Sequence, residues 1–308
     1  MEGVSIIDQR IHRRILEKKN RVDKHRPLHP DLLKRLQEDV LVEYIHSTNK
    51  IEGNTLTLGE TGTVIQGMTV GGKTLREIQE ARNHPETIDY IQEHAQSRGP
   101  MTTDTVKQVH RLLLYDILEK PGDYRTGMIK VPGANFTPPK SNMIPGLMEE
   151  LVLWLRDNPW EHPPVELAAR FMHRLLAIHP FHDGNGRTAR ILMNLILLRN
   201  GYPIITNISY RDRRQYLDAL GQADLDNPKP LVDFIAMSVE SALTRYLVAI
   251  EELDTYTLAE AAKVTGYDPK YLNNRARDGS LGAYKDGRNW RVTKEDLDRY
   301  LRLSKRNT

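Results

Sequence analysis

The sequence predicts a mainly α-helical chain with one β-hairpin near its middle. A small module of short helices and a second hairpin closes the C-terminus. Three observations carry this reading. Apolar residues recur at i, i+3, i+4 through most of the first 250 residues. Only one stretch in that region has strand character. At Tyr256 both the hydrophobic period and the charge balance change.

The elements follow in order. The first residues, MEGVSIIDQRIHRRILEKK, are amphipathic and highly charged, without the apolar run expected of a signal peptide. Leu32, Leu33, Leu36, Val40, Leu41 and Tyr44 have helical spacing. Further helices are expected over 75–96, 102–119, 143–156, 164–178, 187–200, 211–223 and 229–252. Pro163 and Pro164 suit the start of the 164–178 helix. GMIKVPGANFTPP, residues 127–139, has short β-type runs around Pro132-Gly133 and reads as the hairpin. Glu251, Glu252 and Asp254 close the long helix.

Composition narrows the chemistry. The 308 residues suffice for two or three domains, and 39% hydrophobic content can build a sizeable core. The absence of cysteine excludes disulfides, thiolate zinc sites and cysteine nucleophiles, and it suits a reducing cytosol. No apolar run reaches the roughly eighteen residues of a membrane span, so no membrane partner is expected. The net charge of +3 is unevenly spread. From Thr255 to Thr308 twelve Lys and Arg face seven Asp and Glu, a net of +5, which leaves −2 for the other 254 residues. A basic tail fits an appended nucleic-acid module, although a solvated surface has the same signature.

Residues 179–190 read HPFHDGNGRTAR and lead directly into an apolar helix. Gly184 and Gly186 can let a ligand approach the main chain. The helix after them offers N–H groups without helical partners and a dipole that favours negative charge. Arg187 and Arg190, three apart, share a helix face and suit consecutive phosphates. Asp183 can hold Mg²⁺ together with phosphate oxygens. His179 is a candidate general base. Two rivals remain: a polar helix start with a buried histidine, and a metallohydrolase built on His179, His182 and Asp183 with ligands such as His110 or His173.

HPFHDGNGRTAR matches the Fic family signature, HPFx(D/E)GN(G/K)RxxR, at every specified position. The upstream YRTGMIKVPGANFTPP resembles the family's flap, and YRDRRQYLDALGQAD resembles its downstream segment. The resemblance covers roughly residues 35–250 and implies a Fic helical core with a β-hairpin flap. It implies a protein adenylyltransferase that moves AMP from ATP to a Ser, Thr or Tyr hydroxyl of a target protein or of itself. By resemblance, His179 deprotonates the hydroxyl and Asp183 binds Mg²⁺. Gly184, Asn185 and Gly186 form the anion hole, while Arg187 and Arg190 contact the outer phosphates. Lys130, Val131 and Phe136 belong to the flap on which an extended target segment docks by strand addition.

Residues 47–54, STNKIEGN, read alone as a helix end with a solvated Glu52. Beside the signature they resemble the family's inhibitory helix, (S/T)xxxE(G/N), spanning about 40–53. The resemblance then implies that Glu52 pairs with Arg190 and keeps that guanidinium from the γ-phosphate.

In the tail, Leu258, Ala261, Ala262 and Val264 make a short helix, and Asp268-Pro269 opens a second over 270–278. Asp286-Gly287 centres a hairpin, and Thr293 begins a last helix. This order resembles excisionase or MerR-like winged helix-turn-helix domains. It implies double-stranded DNA as a partner, with Lys270, Asn273, Arg275, Arg277, Lys285 and Arg288 as contact candidates. The expected division is an N-terminal helical region (1–100), a Fic core (101–253) and the winged domain (255–308). The competing class is a DNA-binding transcriptional regulator whose Fic core senses a nucleotide with little turnover. A cytoplasmic location fits both, and a homo-oligomer stays open.

Overall fold

The computed structural model describes residues 5–97, 99–131, 136–206, 213–287 and 289–304. Among them the chain is mostly helical, with one small antiparallel sheet. It divides into two compact units, Met1–Ile6 with Asp39–Ile235 and Ile7–Glu38 with Ala236–Thr308. The boundaries between these units fall inside α2 (Pro30–Ile51) and α11 (Lys229–Glu251).

The larger unit is built around α9 (Asn185–Arg199). Its sequence ILMNLILL is apolar on every side, so the helix has no solvent face and is buried along its length. It packs against α5 (His84–Ser97), α6 (Thr103–Leu113) and α8 (Pro164–Ile178), and α7 (Ile144–Asp157) covers α8. Each fully buried Leu or Ile contributes roughly 1.5–3 kcal/mol, which makes α9 the main anchor of this unit. Two short helices, α3 (Leu58–Ile65) and α4 (Leu75–Arg82), each begin with a capping box, Thr57 with Glu60 and Thr74 with Glu77. The helix α10 (Arg213–Ala223) buries Tyr216 and Ala219.

The helix expected over 75–96 is two helices. Pro85 cannot continue a helix from the preceding turn, and the Asn83 amide leaves the helical line to donate to the Leu113 and Tyr115 carbonyls at 3.0 and 2.7 Å. The helix expected to reach 119 ends at Leu113. The β-hairpin flap is also corrected: residues 127–131 and 136–140 form no strand. Pro138 and Pro139 have no N–H to give to a ladder, and the turn at Pro132-Gly133 lies outside the described residues.

In the smaller unit, strands β1 (Thr255–Thr257), β2 (Tyr284–Asp286) and β3 (Asn289–Thr293) form a sheet of order β1-β3-β2. Tyr256 pairs with Val292, and Lys285 with Trp290. Helices α12 (Leu258–Thr265), α13 (Pro269–Arg277) and α14 (Lys294–Ser304) close a core of Ala261, Leu272, Ala276, Leu281, Val292 and Leu297. Asp268 caps α13 by accepting from the Lys270 and Tyr271 N–H groups, with Pro269 at the first helical position. The fold is therefore mainly α, with a small C-terminal helix-turn-helix and wing, as the sequence predicts. β1 was too short for sequence periodicity to reveal.

Helix α1 (Gln9–Lys24) belongs to this unit. Arg14 reaches Glu240 of α11 with a two-pronged pair at 2.7 and 2.8 Å and the Gly279 carbonyl at 2.6 Å. Lys18 donates to Glu240, Thr244 and Asp296, each at 2.9 Å. No described helix is long and apolar enough to cross a membrane.

Candidate active site

The loop between α8 and α9 is set by two residues with positive φ. His179 caps α8 at φ 49°, with its N–H bonded to the Leu175 carbonyl at 3.0 Å. Gly184 precedes α9 at φ 72°. A side chain at Gly184 would also meet Leu114 Cδ2 at 2.5 Å, so glycine is required there for both conformation and space. The Asn185 amide closes the loop across its middle, donating to the Phe181 carbonyl at 2.8 Å and accepting from its N–H at 2.9 Å. Its side chain is thus a clasp for the loop. Only its backbone can belong to an anion hole.

Two further residues hold this loop from outside the motif. Arg125 is 2% exposed and all its acceptors are carbonyls: His179 at 2.8 Å, Gly127 at 2.8 Å and Pro139 at 2.6 Å. It ties both ends of the flap to the candidate base. His110 accepts from the Gly122 N–H through Nδ1 at 2.8 Å, so Nε2 carries the proton donated to the Asp183 carbonyl at 3.0 Å. Burial holds its pKa down at about 4, in keeping with this neutral tautomer. Its ring stacks on Phe181 with centroids 3.7 Å apart.

His179 is half-buried. Burial, aided by the Arg125 charge, keeps its pKa below the usual imidazole value, so it is neutral near pH 7 and able to accept a proton. Asp183 is 38% exposed. Burial would raise its pKa, but Arg187, the Gly184 N–H and Arg76 together bring it below the usual carboxylate range.

The charged groups form two constellations. In the first, Arg76 of α4 pairs with Asp183 and lies 3.2 Å from Glu80. Glu80 lies 2.9 Å from Arg187, and Arg187 lies 3.6 Å from Asp183. Charges therefore alternate around a closed ring. The Nε of Arg187 is buried without a hydrogen-bond partner, which leaves a donor for an anion. In the second constellation, Arg190 donates to Thr48 Oγ1 at 2.8 Å, the Thr48 carbonyl at 3.0 Å and Glu52 at 2.7 Å. Burial disfavours its charge, but Glu52 more than offsets this and its pKa rises. A Cβ built on Gly186 would run into Glu52 Oε1. The Glu52 carboxylate thus lies against the glycine face where a phosphate was expected.

The structure brings His179, Asp183, Gly184, Asn185, Gly186, Arg187, Arg190 and Glu52 to one place. Arg187 and Arg190 share a helix but pair with different upstream elements, α4 and the end of α2. Among flap residues Lys130 is exposed, and Val131 and Phe136 are half-buried. His182 accepts from the Thr126 N–H at 3.2 Å and so fixes the flap base. His110 supports the loop, and His173 pairs with Asp224 at 2.9 Å. Among the described residues no group of three or more His, Cys, Asp or Glu is placed to hold a metal ion, and His110, His173 and His182 are each engaged with other partners. Sequence reasoning missed Arg76, Glu80 and Arg125. Arg125 stands in the quoted YRTG stretch, and Arg76 and Glu80 are an i, i+4 pair, but neither signal names a partner 54 or 107 positions away.

On α13, Lys270 and Arg277 are exposed. Arg275 pairs with Asp278 at 3.0 Å and lies over the Tyr271 ring at 5.5 Å. Asn273 is half-buried, and Lys285 sits over Trp290 at 5.2 Å. Arg288 lies outside the described residues.

A model described as Fic/DOC family matches residues 100–197, and one described as helix-turn-helix domain matches residues 255–302. The chain is 31% identical over 254 residues to "Protein adenylyltransferase fic-1" of Caenorhabditis elegans, covering 80% of this chain and 49% of that protein. It thus spans about half the length of such relatives. A crystal structure of a Fic domain containing signaling protein from Bacteroides thetaiotaomicron superposes with TM-score 0.71 at 31% identity, covering 78% of this chain and 98% of that one. A Fic family protein from Desulfovibrio desulfuricans shares the fold with TM-score 0.66 at 22% identity, over 96% and 98% of the two chains.

Proposed function

The chain belongs to the Fic family, and from that premise we propose that it is a protein adenylyltransferase held inactive by its own Glu52. The carrying observation is the three-way meeting of Arg190, Glu52 and Gly186 beside a neutral His179. In the proposed reaction the target's Ser, Thr or Tyr hydroxyl gives its proton to His179. The hydroxyl oxygen attacks the α-phosphorus of ATP, the bond to the β-phosphate oxygen breaks, and pyrophosphate leaves. The N-terminal backbone of α9 at Asn185 and Gly186 and the buried Arg187 Nε receive phosphate oxygens, while the Gly184 N–H holds Asp183 at 2.6 Å. Asp183 would hold Mg²⁺ together with those oxygens, and the ion would neutralise charge on the departing pyrophosphate. A half-exposed carboxylate that already attracts a cation fits that role.

Glu52 blocks this arrangement in two ways. It takes one guanidinium arm of Arg190, and its carboxylate fills the cradle over Gly186. An anion already sits where an anion must bind. Incubation with α-³²P-ATP tests the reading. Glu52→Gly should label protein at least tenfold faster than wild type, and Glu52→Gly/His179→Ala should not label. Equal labelling by wild type and Glu52→Gly removes the inhibitory role. Nucleotide binding without His179-dependent labelling in any variant favours a nucleotide sensor instead.

The basic helix-turn-helix supports duplex DNA as a second partner, with Lys270, Asn273, Arg275, Arg277 and Lys285 as contacts. The whole chain should bind duplex DNA more weakly as salt rises, and Arg277→Ala should reduce the salt slope by about one phosphate contact. No binding at low salt removes this part of the proposal.

A further inference from the structure

The ring around Asp183 contains a residue that the proposed chemistry does not use. Arg76 is 53% exposed, yet its guanidinium is bound to Asp183 on one side and to Glu80 on the other, at 3.2 Å. Asp183 is the carboxylate assigned to the divalent cation. Arg76 therefore stands on the cation's position, just as Glu52 stands on the anion's.

We propose that Arg76 is a second lock on the site: it neutralises Asp183 in the resting protein and must be displaced before a divalent cation can bind there. The inference rests on the adenylyltransferase reading and deepens it. The two locks have opposite sign, each with one partner in the signature loop and one in residues 52–80. They are also tied together. The Asn54 amide donates to Glu80 Oε2 at 3.1 Å and to the Glu77 carbonyl at 3.0 Å. Thr55 donates to Glu77 through its N–H at 2.8 Å and its hydroxyl at 2.6 Å. The turn that carries Glu52 thus continues directly into contacts with the helix that carries Arg76.

The balance of charge explains why such a residue is useful. Without a metal or Arg76, Asp183 would keep only the Gly184 N–H at 2.6 Å and Arg187 at 3.6 Å, and its remaining charge next to the anion cradle would oppose incoming phosphates. Arg76 cancels that charge, and a divalent cation arriving with the nucleotide replaces one positive charge with two. Arg187 does not need to move, because Glu80 still holds it at 2.9 Å. Arg76, on the exposed side, can swing into solvent.

The test compares nucleotide affinity with and without metal, by calorimetry with α,β-methylene-ATP in saturating Mn²⁺ or in EDTA. All proteins carry Glu52→Gly, so that Arg190 is free. The quantity read is the ratio of the two dissociation constants. Arg76→Gln should raise this ratio roughly threefold to tenfold, the scale of one partly exposed ion pair. Asp183→Ala should collapse the ratio, and Arg76→Gln should then change it no further. Arg76→Lys, which keeps the charge, should stay near the parent value. If Arg76→Gln weakens binding equally in Mn²⁺ and EDTA, Arg76 is a phosphate ligand and the lock is overturned. An unchanged ratio overturns it as well. If Asp183→Ala leaves the ratio intact, the metal assignment beneath it fails. If no variant binds the nucleotide, the adenylyltransferase reading fails and this inference with it.

Discussion

Each unit contains a cluster of buried charge, and the two clusters are completed differently. In the smaller unit Arg14, Lys18, Glu240 and Asp296 are all at most 7% exposed, and Glu240 takes bonds from two cations. In the larger unit Arg187 and Arg190 are equally buried and Arg187 has buried Glu80 at 2.9 Å, but Asp183 and Glu52, which also pair with the two arginines, remain 38% and 35% exposed. Arg187 also keeps an unpaired Nε. The first cluster is closed and fixes helix positions. The second is open to solvent on its anionic side. Buried charge alone does not mark a site; incomplete pairing with an exposed side does.

Breaking the closed cluster should have the largest effect on stability. Glu240→Ala would strip buried Arg14 of its carboxylate and leave buried Lys18 with Asp296 alone, and should cost about 3–5 kcal/mol, read by thermal unfolding together with proteolysis of α1. Gly184→Ala comes next. It combines positive φ with a clash against Leu114, and it should cost about 1–3 kcal/mol and abolish labelling in the Glu52→Gly background. Glu52→Gln should be mild in stability, at most about 1 kcal/mol, because the carboxylate is partly solvated and Arg190 keeps its Thr48 bonds. A loss like that of Glu240→Ala would mean the open cluster is structural after all.

Acid should separate the clusters by a smaller margin. His110 has its pKa depressed in the folded state to about 4. The unfolded chain therefore binds the extra proton first, and stability from this group is lost as pH falls from about 6.5 towards about 4. Burial would raise the Glu240 pKa, but Lys18 and Arg14 bring it down to about 2. Its contribution is full above about pH 4.5 and is lost only as pH falls towards about 2. Unfolding midpoints from pH 7 to 3 should show the histidine loss first, and His110→Gln should reduce the early part of the curve, with buried His84, held down at about 3, supplying the rest. Simultaneous loss would blur the distinction.

Much of the candidate site was legible because it is local. His179 to Arg190 lie within one helix–loop–helix turn, so spacing alone brings base, carboxylate, glycines and arginines together. The two tail hairpin strands and α12 to α14 were legible for the same reason. The Glu52 pairing was reached through family resemblance, since nothing in STNKIEGN names Arg190. The flap misled because its apolar alternation looked like paired strands while Pro138 and Pro139 deny the ladder its donors.

The sequence by itself determined the helical class, the glycine-opened α8–α9 loop with its histidine, carboxylate and two arginines, and the basic helix-turn-helix at the end. These follow from periodicity, backbone freedom at glycine and charge, which are properties of neighbouring residues. Only the tertiary structure decided that Arg125 ties the flap to His179, that α1 is held by Glu240, and that Arg76 sits on Asp183. Those pairings join residues 54 to 226 positions apart. They depend on how helices pack, and packing is fixed by the whole core rather than by any stretch that can be read alone.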